Sequence, residues 1–200
     1  MKYKFCVSGA AVTDSCAPDA MEKTKLLAKE IVAHNGVLVT GATIGVPYWA
    51  AVGCKEAGGF SIGISPASSE IEHVKRYRLP IDQFDIIIYT GFGYSGRNLL
   101  LTRASDAVIT VCGRIGTLNE FTIAFEDHKP IGVLTETGGA ADEIKEIVEA
   151  CNRPNPKIVY DSDPKILIDK LVKLIEAEKK EAKPDTPYDY QEHLTKKNSG

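Results

Sequence analysis

Short apolar runs alternate with longer segments of helical periodicity along most of the chain. The apolar runs lie at residues 4–9, 37–41, 60–66, 85–91, 106–113, 129–136 and 157–162. The segments between them, such as DAMEKTKLLAKEIVAHNG, repeat apolar residues at helical spacing. Runs that are apolar throughout indicate strands buried on both faces, and helical connections indicate parallel pairing. The pattern predicts an α/β fold, a doubly wound Rossmann-like parallel sheet of six or seven strands with helices on both faces.

The periodic pattern ends near residue 179. Residues 1–179 are therefore predicted to form a single Rossmann-like domain. Residues 180–200 are polar and contain proline, which predicts a flexible C-terminal tail. The alternative for this tail is folding over a partner subunit through Tyr188 and Tyr190. The stretch SSEIEHVKRYRLPIDQF at residues 68–84 fits either a short helix or a loop.

Composition and charge are ordinary for a soluble globular protein, with 44% apolar and 26% charged residues. The net charge of −3 and the pI of about 5.8 do not favour a basic surface, so we expect no nucleic-acid partner. No apolar stretch approaches the length of a membrane span, and the first residues break too early for a signal peptide. We therefore expect a cytoplasmic protein without a membrane partner.

The cysteines and histidines are dispersed along the chain. The five cysteines are odd in number, and none forms a C-x-x-C pair. This distribution argues against a disulfide framework or a zinc site and favours a reducing compartment. Cys112 is interpreted most simply as a small buried strand residue. We predict neither a metal site nor a cofactor.

Four loops that follow strands are rich in Gly, Ser and Thr and open onto helices. They are SGAAVTDS, TGATIGVPYW, TGFGYSGRN and CGRIGTLNE. Ligands of parallel sheets bind beyond the carboxyl ends of the strands, where backbone N–H groups and helix N-termini attract anions. The loops predict a phosphorylated ligand, although glycine after a strand is also common turn chemistry. The absence of a Walker A motif and of a clean G-x-G-x-x-G disfavours ATP hydrolysis and ordinary NAD binding.

The segment GRNLLLTRASDAVITVCGRIGTLNEFTIAFEDHKPIGVL resembles the signature region of the LOG-like, or SLOG, Rossmann superfamily. That group includes cytokinin-activating phosphoribohydrolases, long mislabelled lysine decarboxylases, and molybdenum cofactor carrier proteins. The phosphoribohydrolases combine an Arg-Lys helix with P-G-G-x-G-T-x-x-E. The resemblance extends over most of residues 4–134. It implies a Rossmann fold and a homo-oligomer.

The resemblance assigns roles to individual positions. Arg97 and Glu120 fall on the first arginine and the final glutamate of the family motifs, which implies that these two residues are catalytic. The candidate ligand- and phosphate-binding residues are Gly9, Gly41, Thr43, Gly45, Asn98, Gly113, Arg114, Gly116 and Thr117. The sequence departs from the phosphoribohydrolases at Cys112, which replaces proline, and at Arg114, which replaces glycine. Asn98 replaces lysine, and the GRN segment looks more like the carrier branch.

Three of these residues also have structural interpretations. Thr117 and Glu120 have the spacing of a capping box, in which each side chain would bond the backbone N–H of the other. Arg114 either contacts a ligand phosphate or is solvated, and it would be strained if its φ were positive. Arg103 is expected to form an ion pair, with Glu120 or Asp106 as candidate partners.

The resemblance leads to two main functional hypotheses. The first is a nucleotide-binding protein that hydrolyses the N-glycosidic bond of nucleoside 5′-monophosphates to a free base and ribose 5-phosphate. The second is a non-catalytic carrier or sensor of a phosphorylated ligand, such as the molybdenum pterin cofactor. A third possibility is an interaction module with a vestigial site.

Overall fold

The computed structural model describes residues 2–181, and strands and helices alternate throughout this part of the chain. The strands are β1 Lys4–Gly9, β2 Val37–Thr40, β3 Ser61–Ser65, β4 Ile86–Tyr89, β5 Ala107–Val111, β6 Ile131–Leu134 and β7 Ile158–Asp161. The helices are α1 Ala20–Ala33, α2 Val46–Glu56, α3 Gly93–Arg103, α4 Ile115–Glu126, α5 Gly139–Ala150 and α6 Pro164–Glu181. The ambiguous stretch before β4 contains a π-helical turn, Glu72–Arg76. Of the predicted tail, residues 180 and 181 belong to α6, and residues 182–200 lie outside the described residues.

The strands form one parallel sheet in the order β4-β3-β2-β1-β5-β6-β7. The first four strands are added in one direction, after which β5 returns to the other side of β1 and the order reverses. The loops after β1 and β5 therefore diverge onto opposite faces and leave a crevice between them. In this class of sheet, such a switch point is where ligands bind. The predicted doubly wound parallel sheet is confirmed.

Two apolar clusters fill the space between the sheet and its helices. Successive residues of a strand point to opposite faces, so Phe5 and Val7 enter one cluster and Cys6 enters the other. The first cluster joins the sheet to α1, α2 and α6, and the second joins it to α3, α4 and α5. The central strands are consequently covered on both sides. At the edge strand β4, in contrast, Ile86 and Ile88 are each about half exposed.

Candidate functional site

Arg97 lies on α3 with its side chain turned into the molecule, and only 6% of the residue is exposed. Because the helix begins at Gly93, Arg97 lies one turn inside it rather than in its first turn. Its guanidinium rests against the backbone of Gly41 at the end of β2. A Cβ atom at Gly41 would come within 1.7 Å of Arg97 Nη1, so a larger residue there would displace the guanidinium. Among the described residues, Arg97 Nε has no hydrogen-bond partner.

Glu120 lies on α4 opposite Arg97 and is also only 6% exposed. Its Oε1 is 4.0 Å from Arg97 Nη1, and its Oε2 accepts a hydrogen bond from the Ser8 hydroxyl. The Asn98 amide is satisfied when its nitrogen faces Glu120, because the opposite orientation places two acceptors face to face. In that orientation Asn98 Nδ2 donates to Glu120 Oε1 at 2.8 Å and to the Tyr94 carbonyl at 2.9 Å.

Opposing effects act on the charge of the Glu120 carboxyl. Burial raises the pKa of this carboxyl above its usual value, while the charge of Arg97 and the hydrogen bond from Ser8 act in the opposite direction. A carboxyl with a raised pKa that faces a cleft is a frequent feature of functional sites. Glu120 is therefore a group able to hold or exchange a proton at the edge of the sheet.

The predicted capping box at Thr117 and Glu120 is wrong. The chain leaves β5 through two residues in the left-handed region, Cys112 with φ 50° and Gly113 with φ 98°, and this turn starts α4 already at Ile115. Arg114 is the N-cap residue, and no side chain caps the helix. The strain considered for Arg114 does not occur either, because its φ of −132° is extended. The Glu120 carboxylate is thus directed to Ser8 and Arg97 rather than to the backbone of Thr117.

A pocket of about 330 Å³ opens between α3, α4 and the loop after β1. Eight of the predicted site residues line it: Gly9, Thr43, Arg97, Asn98, Arg114, Gly116, Thr117 and Glu120. Gly41 instead lines a cavity of about 30 Å³ behind Arg97 and Glu120. Gly45 and Gly113 line neither space. Gly45 is the N-cap residue of α2, with a φ of 71°, and lies so close to the loop after β1 that a Cβ atom would be 2.2 Å from the Ala10 carbonyl oxygen.

The pocket has the composition of an anion site. The N-terminus of α4 faces it, and the backbone N–H of Leu118, which donates to the Arg114 carbonyl at 3.0 Å, makes the first helical hydrogen bond. The N–H groups that precede it in the first turn have no intrahelical acceptor, and they carry the positive end of the helix dipole. Arg97 and Arg114 add two guanidinium groups to the same space. These donors outweigh the single carboxyl of Glu120, so the site is suited to a negatively charged ligand.

Sequence reasoning missed Ser8 and Tyr94. Ser8 is the penultimate residue of β1, where it pairs in register with Thr110 of β5 and reaches Glu120. Ser8 could have been found from its position, because it lies at the carboxyl end of the strand beside the switch point. Tyr94 lines the pocket from the first turn of α3, with its ring centre 6.0 Å from Arg97 Cζ.

The prediction that the cysteines are unpaired is wrong for two of them. Cys16 in the loop after β1 forms a disulfide with Cys112, although 96 positions separate them in the sequence. The spacing gave no sign of the bond, because only the pairing of β1 with β5 brings the two loops together. Cys112 is therefore more than the small buried residue that was predicted.

The predicted partners of Arg103 are also wrong. Its guanidinium binds Asp127, with 2.9 Å between Arg103 Nε and Asp127 Oδ2, rather than Glu120 or Asp106. Arg103 lies at the end of α3, far enough along the helix to face the surface. Asp106 instead pairs with Lys4 and Lys179.

Residues 2–181 contain neither a cluster of metal-ligating side chains nor a membrane-spanning helix. Within this range, no three His, Cys, Asp or Glu side chains are grouped so that they could hold a metal ion. None of the helices described is both long enough and apolar enough to cross a membrane.

Comparison with known proteins identifies the class to which the chain belongs. A profile of the SLOG cluster4 family matches residues 2–168, and the chain belongs to this family. An uncharacterised protein from Archaeoglobus fulgidus is 34% identical over 106 residues, which is 52% of this chain and 64% of that protein. The chain thus spans less than two thirds of the length of this relative.

Solved structures of molybdenum cofactor proteins resemble this chain over most of its length. The carrier protein from Chlamydomonas reinhardtii is 29% identical with a TM-score of 0.69, and the alignment covers 88% of this chain and 99% of that one. The molybdenum cofactor binding protein from Rippkaea orientalis is 28% identical with a TM-score of 0.69, and covers 88% and 97% of the two chains. The resemblance to the SLOG superfamily predicted from sequence is confirmed.

The prediction of no nucleic-acid partner is contradicted by a further likeness. DNA processing protein A from Helicobacter pylori, whose structure describes a single-stranded DNA binding mode, has the same fold with a TM-score of 0.62. It is 20% identical, and the alignment covers 86% of this chain and 80% of that one. The prediction rested on the net charge, which is an average over the chain and does not describe a local surface.

Proposed function

We propose that the chain binds a small phosphorylated molecule in the pocket between α3, α4 and the loop after β1. The observation that carries this proposal is the unpartnered Nε of the buried Arg97, beside Arg114 and the N-terminus of α4. A buried donor without an acceptor costs about 1–3 kcal/mol, and an anion that enters the pocket removes this cost. Phosphate oxygens accept two parallel hydrogen bonds from a guanidinium, which a single water does not.

The class of ligand we favour is a phosphorylated pterin such as the molybdenum cofactor, carried as cargo. The support comes from the two molybdenum cofactor proteins, which are similar over nearly their whole length. The GRN segment at residues 96–98 also resembles the carrier branch. In this role Arg97 and the first turn of α4 hold the phosphate, and the exposed Tyr94 offers a ring face to the pterin.

The second candidate is hydrolysis of the N-glycosidic bond of a nucleoside 5′-monophosphate. The geometry of Arg97 and Glu120 supports it, because both line the pocket and their charged atoms are 4.0 Å apart. Departure of the base gives the sugar oxocarbenium character, which the Glu120 carboxylate stabilises while it positions or deprotonates a water. Arg97 would hold the phosphate and fix the orientation of the sugar. A homo-oligomer and a cytoplasmic location stay predictions.

Calorimetric titration with AMP, ribose 5-phosphate and a pterin phosphate tests the binding proposal. We expect one site per chain and a loss of binding in Arg97→Gln. Arg103→Gln is the matched control, because it removes an arginine from the same helix while its Asp127 pair lies outside the pocket. No binding of any of these compounds by the folded protein contradicts the proposal.

Chromatography of each bound nucleotide after incubation separates the two candidates. Free base together with ribose 5-phosphate, both absent with Glu120→Gln, identifies the hydrolase. Tight binding of the pterin phosphate with every nucleotide recovered intact identifies the carrier.

A further inference from the structure

The disulfide between Cys16 and Cys112 joins the two walls of the pocket. Cys16 belongs to the loop after β1, whose residues Ala10, Ala11 and Val12 line one side of the pocket. Cys112 directly precedes the turn that presents residues 114–117 on the other side. The bond therefore crosses from one ligand-facing loop to the other.

The two walls differ in the backbone hydrogen bonds that hold them besides the disulfide. Cys112 is fixed from both backbone ends: its N–H donates to the Thr137 hydroxyl at 2.8 Å, and its carbonyl accepts from the Ala141 N–H at 2.7 Å. The loop after β1 is held to the same region by a bridge between Cys16 and Gly138 and by a bond of 2.9 Å from the Ala17 N–H to the Thr137 carbonyl, and the Val46 N–H at the start of α2 donates to the Ala10 carbonyl at 2.8 Å. Opening the disulfide leaves the Cys112 wall in place and removes the one covalent support of the Cys16 wall, which then depends on these few backbone bonds.

The two sulfurs also differ in accessibility. Cys16 is partly exposed, whereas Cys112 is fully buried. A thiolate from solution therefore reaches the Cys16 sulfur first. The remaining cysteines are free, with Cys6 and Cys54 buried and Cys151 exposed at the end of α5.

We propose that a dithiol reductant opens the Cys16–Cys112 bond and thereby loosens the wall at residues 10–17, which lowers the affinity of the pocket for its ligand. The change in affinity rests on the proposed function, whereas the loosening of the wall does not. A covalent bond between the two ligand-facing loops, beside only a few backbone bonds, makes the population of the binding-competent state depend on the redox state of the two cysteines.

The reaction balances with a dithiol as the electron donor. One thiolate of the reductant attacks Cys16 Sγ, the bond to Cys112 breaks, and Cys112 leaves with the electron pair and takes up a proton. The second thiolate then attacks the reductant sulfur bound to Cys16, and Cys16 leaves in the same way. The reductant becomes a disulfide, and the protein gains two thiols.

Hydrogen exchange by mass spectrometry tests the loosening without any ligand. The oxidised protein, the protein reduced with dithiothreitol and the Cys16→Ser/Cys112→Ser variant are compared, with circular dichroism to establish that each is folded. We expect faster exchange at residues 10–17 in the reduced protein and in the variant, with little change in the strands. Unchanged exchange at residues 10–17 overturns the proposal, and so does a global loss of structure on reduction.

Titration with AMP under the same conditions tests the effect on affinity. If the competent state falls to about a tenth of the population on reduction, the apparent Kd rises about tenfold. Cys151→Ser is the control and should respond to dithiothreitol as the natural sequence does. Faster exchange with equal AMP affinity in both redox states overturns the regulatory part. Faster exchange with no binding of AMP, ribose 5-phosphate or the pterin phosphate in either redox state supports the loosening and contradicts the proposed function.

Discussion

The two ends of the central strands differ in how completely a buried carboxyl group is paired. At the amino end, Asp106 precedes β5 and accepts a hydrogen bond from the Lys4 N–H at 2.8 Å. The ammonium groups of Lys4 and Lys179 lie 3.2 and 3.0 Å from its carboxylate. Although burial alone favours the neutral acid, these three donors lower the pKa of Asp106.

The carboxyl end of the same strands is less completely paired. Glu120 faces Arg97 at 4.0 Å, its pKa is raised by burial, and Arg97 Nε has no partner among the described residues. The carboxylate at the amino end stabilises the fold in its charged form, whereas the one at the carboxyl end is charged only at a cost. Incomplete pairing of the charged groups that face a pocket is what a ligand site requires, because a ligand supplies the missing partner.

The largest effect is expected from the disulfide, which closes a loop of about the length of half the chain. A bond that spans 96 positions restricts the unfolded state strongly, and Cys16→Ser/Cys112→Ser should lower the free energy of unfolding by about 3–5 kcal/mol. Urea unfolding under oxidising conditions measures this. Cys151→Ser, at an exposed free cysteine, should leave the midpoint unchanged. Equal midpoints for the double variant and the natural sequence would show that the bond does not form.

Arg97→Ala should have the second largest effect on the free energy of unfolding. It removes the cation beside a buried carboxylate, which typically costs about 3 kcal/mol, and it deletes the main anchor of the ligand. Urea unfolding and titration with AMP give the two effects. Arg103→Ala, on the same helix but paired with Asp127 at the surface, should change neither by a comparable amount. Similar losses of stability and AMP affinity in both variants would contradict the special role given to the buried Arg97 over the surface Arg103.

The fold was predictable because its signals are local. Each strand of the sheet appeared as an apolar run, and β1 was predicted with the bounds that the structure has. The direction of pairing followed from the helical connections, since a crossover between parallel strands needs such a length of chain. The family resemblance likewise rested on one contiguous segment.

The two charged residues of the site were predictable because they lie in that segment, and Gly9 and Thr43 because they follow strands. Arg97 and Glu120 were found through their motifs, whereas Ser8 and the Cys16–Cys112 bond depend on the pairing of β1 with β5. Such contacts cannot be read from spacing along the chain. The start of α4 was misplaced for a different reason. A capping box at T-L-N-E would make Thr117 the N-cap residue, but after the left-handed turn at Cys112 and Gly113 the N-cap is Arg114, three residues earlier.

Gly41→Ala should have an intermediate effect. The new methyl group would occupy the position of the Arg97 guanidinium, 1.7 Å from Nη1, and would displace it toward the pocket. We expect a loss of AMP affinity of at least tenfold and a decrease in unfolding free energy of about 1 kcal/mol, as for other overpacked sites.

Gly116→Ala is the matched glycine variant for the stability measurement. A methyl group at Gly116 meets nothing within 4 Å, and alanine favours a helix by about 0.5 kcal/mol over glycine. The variant should be as stable as the natural sequence or slightly more so. Normal AMP binding by Gly41→Ala would show that ligand binding does not depend on the observed position of the Arg97 guanidinium.

The smallest effect is a difference in pH dependence between the two ends of the sheet. The pKa of Asp106 is lowered on folding, so the native state holds fewer protons than the unfolded chain. Asp106 therefore stabilises the fold above its usual pKa of 3.8, and this contribution is lost as the pH falls through the lower folded value. Asp106→Asn should be less stable than the natural sequence at neutral pH and approach it in acid.

Glu120 should show the opposite sign, because its pKa is raised on folding. The native state then holds more protons than the unfolded chain, so stability declines as the pH rises above the usual value of 4.5 toward the folded value. Glu120→Gln should remove this decline and be more stable than the natural sequence at neutral pH, while losing any activity of the site. Urea unfolding of both variants between about pH 3 and about pH 8 measures the two slopes. Slopes of the same sign would mean that Glu120 is paired as completely as Asp106, and that the carboxyl end of the sheet is as stable without a ligand as the amino end.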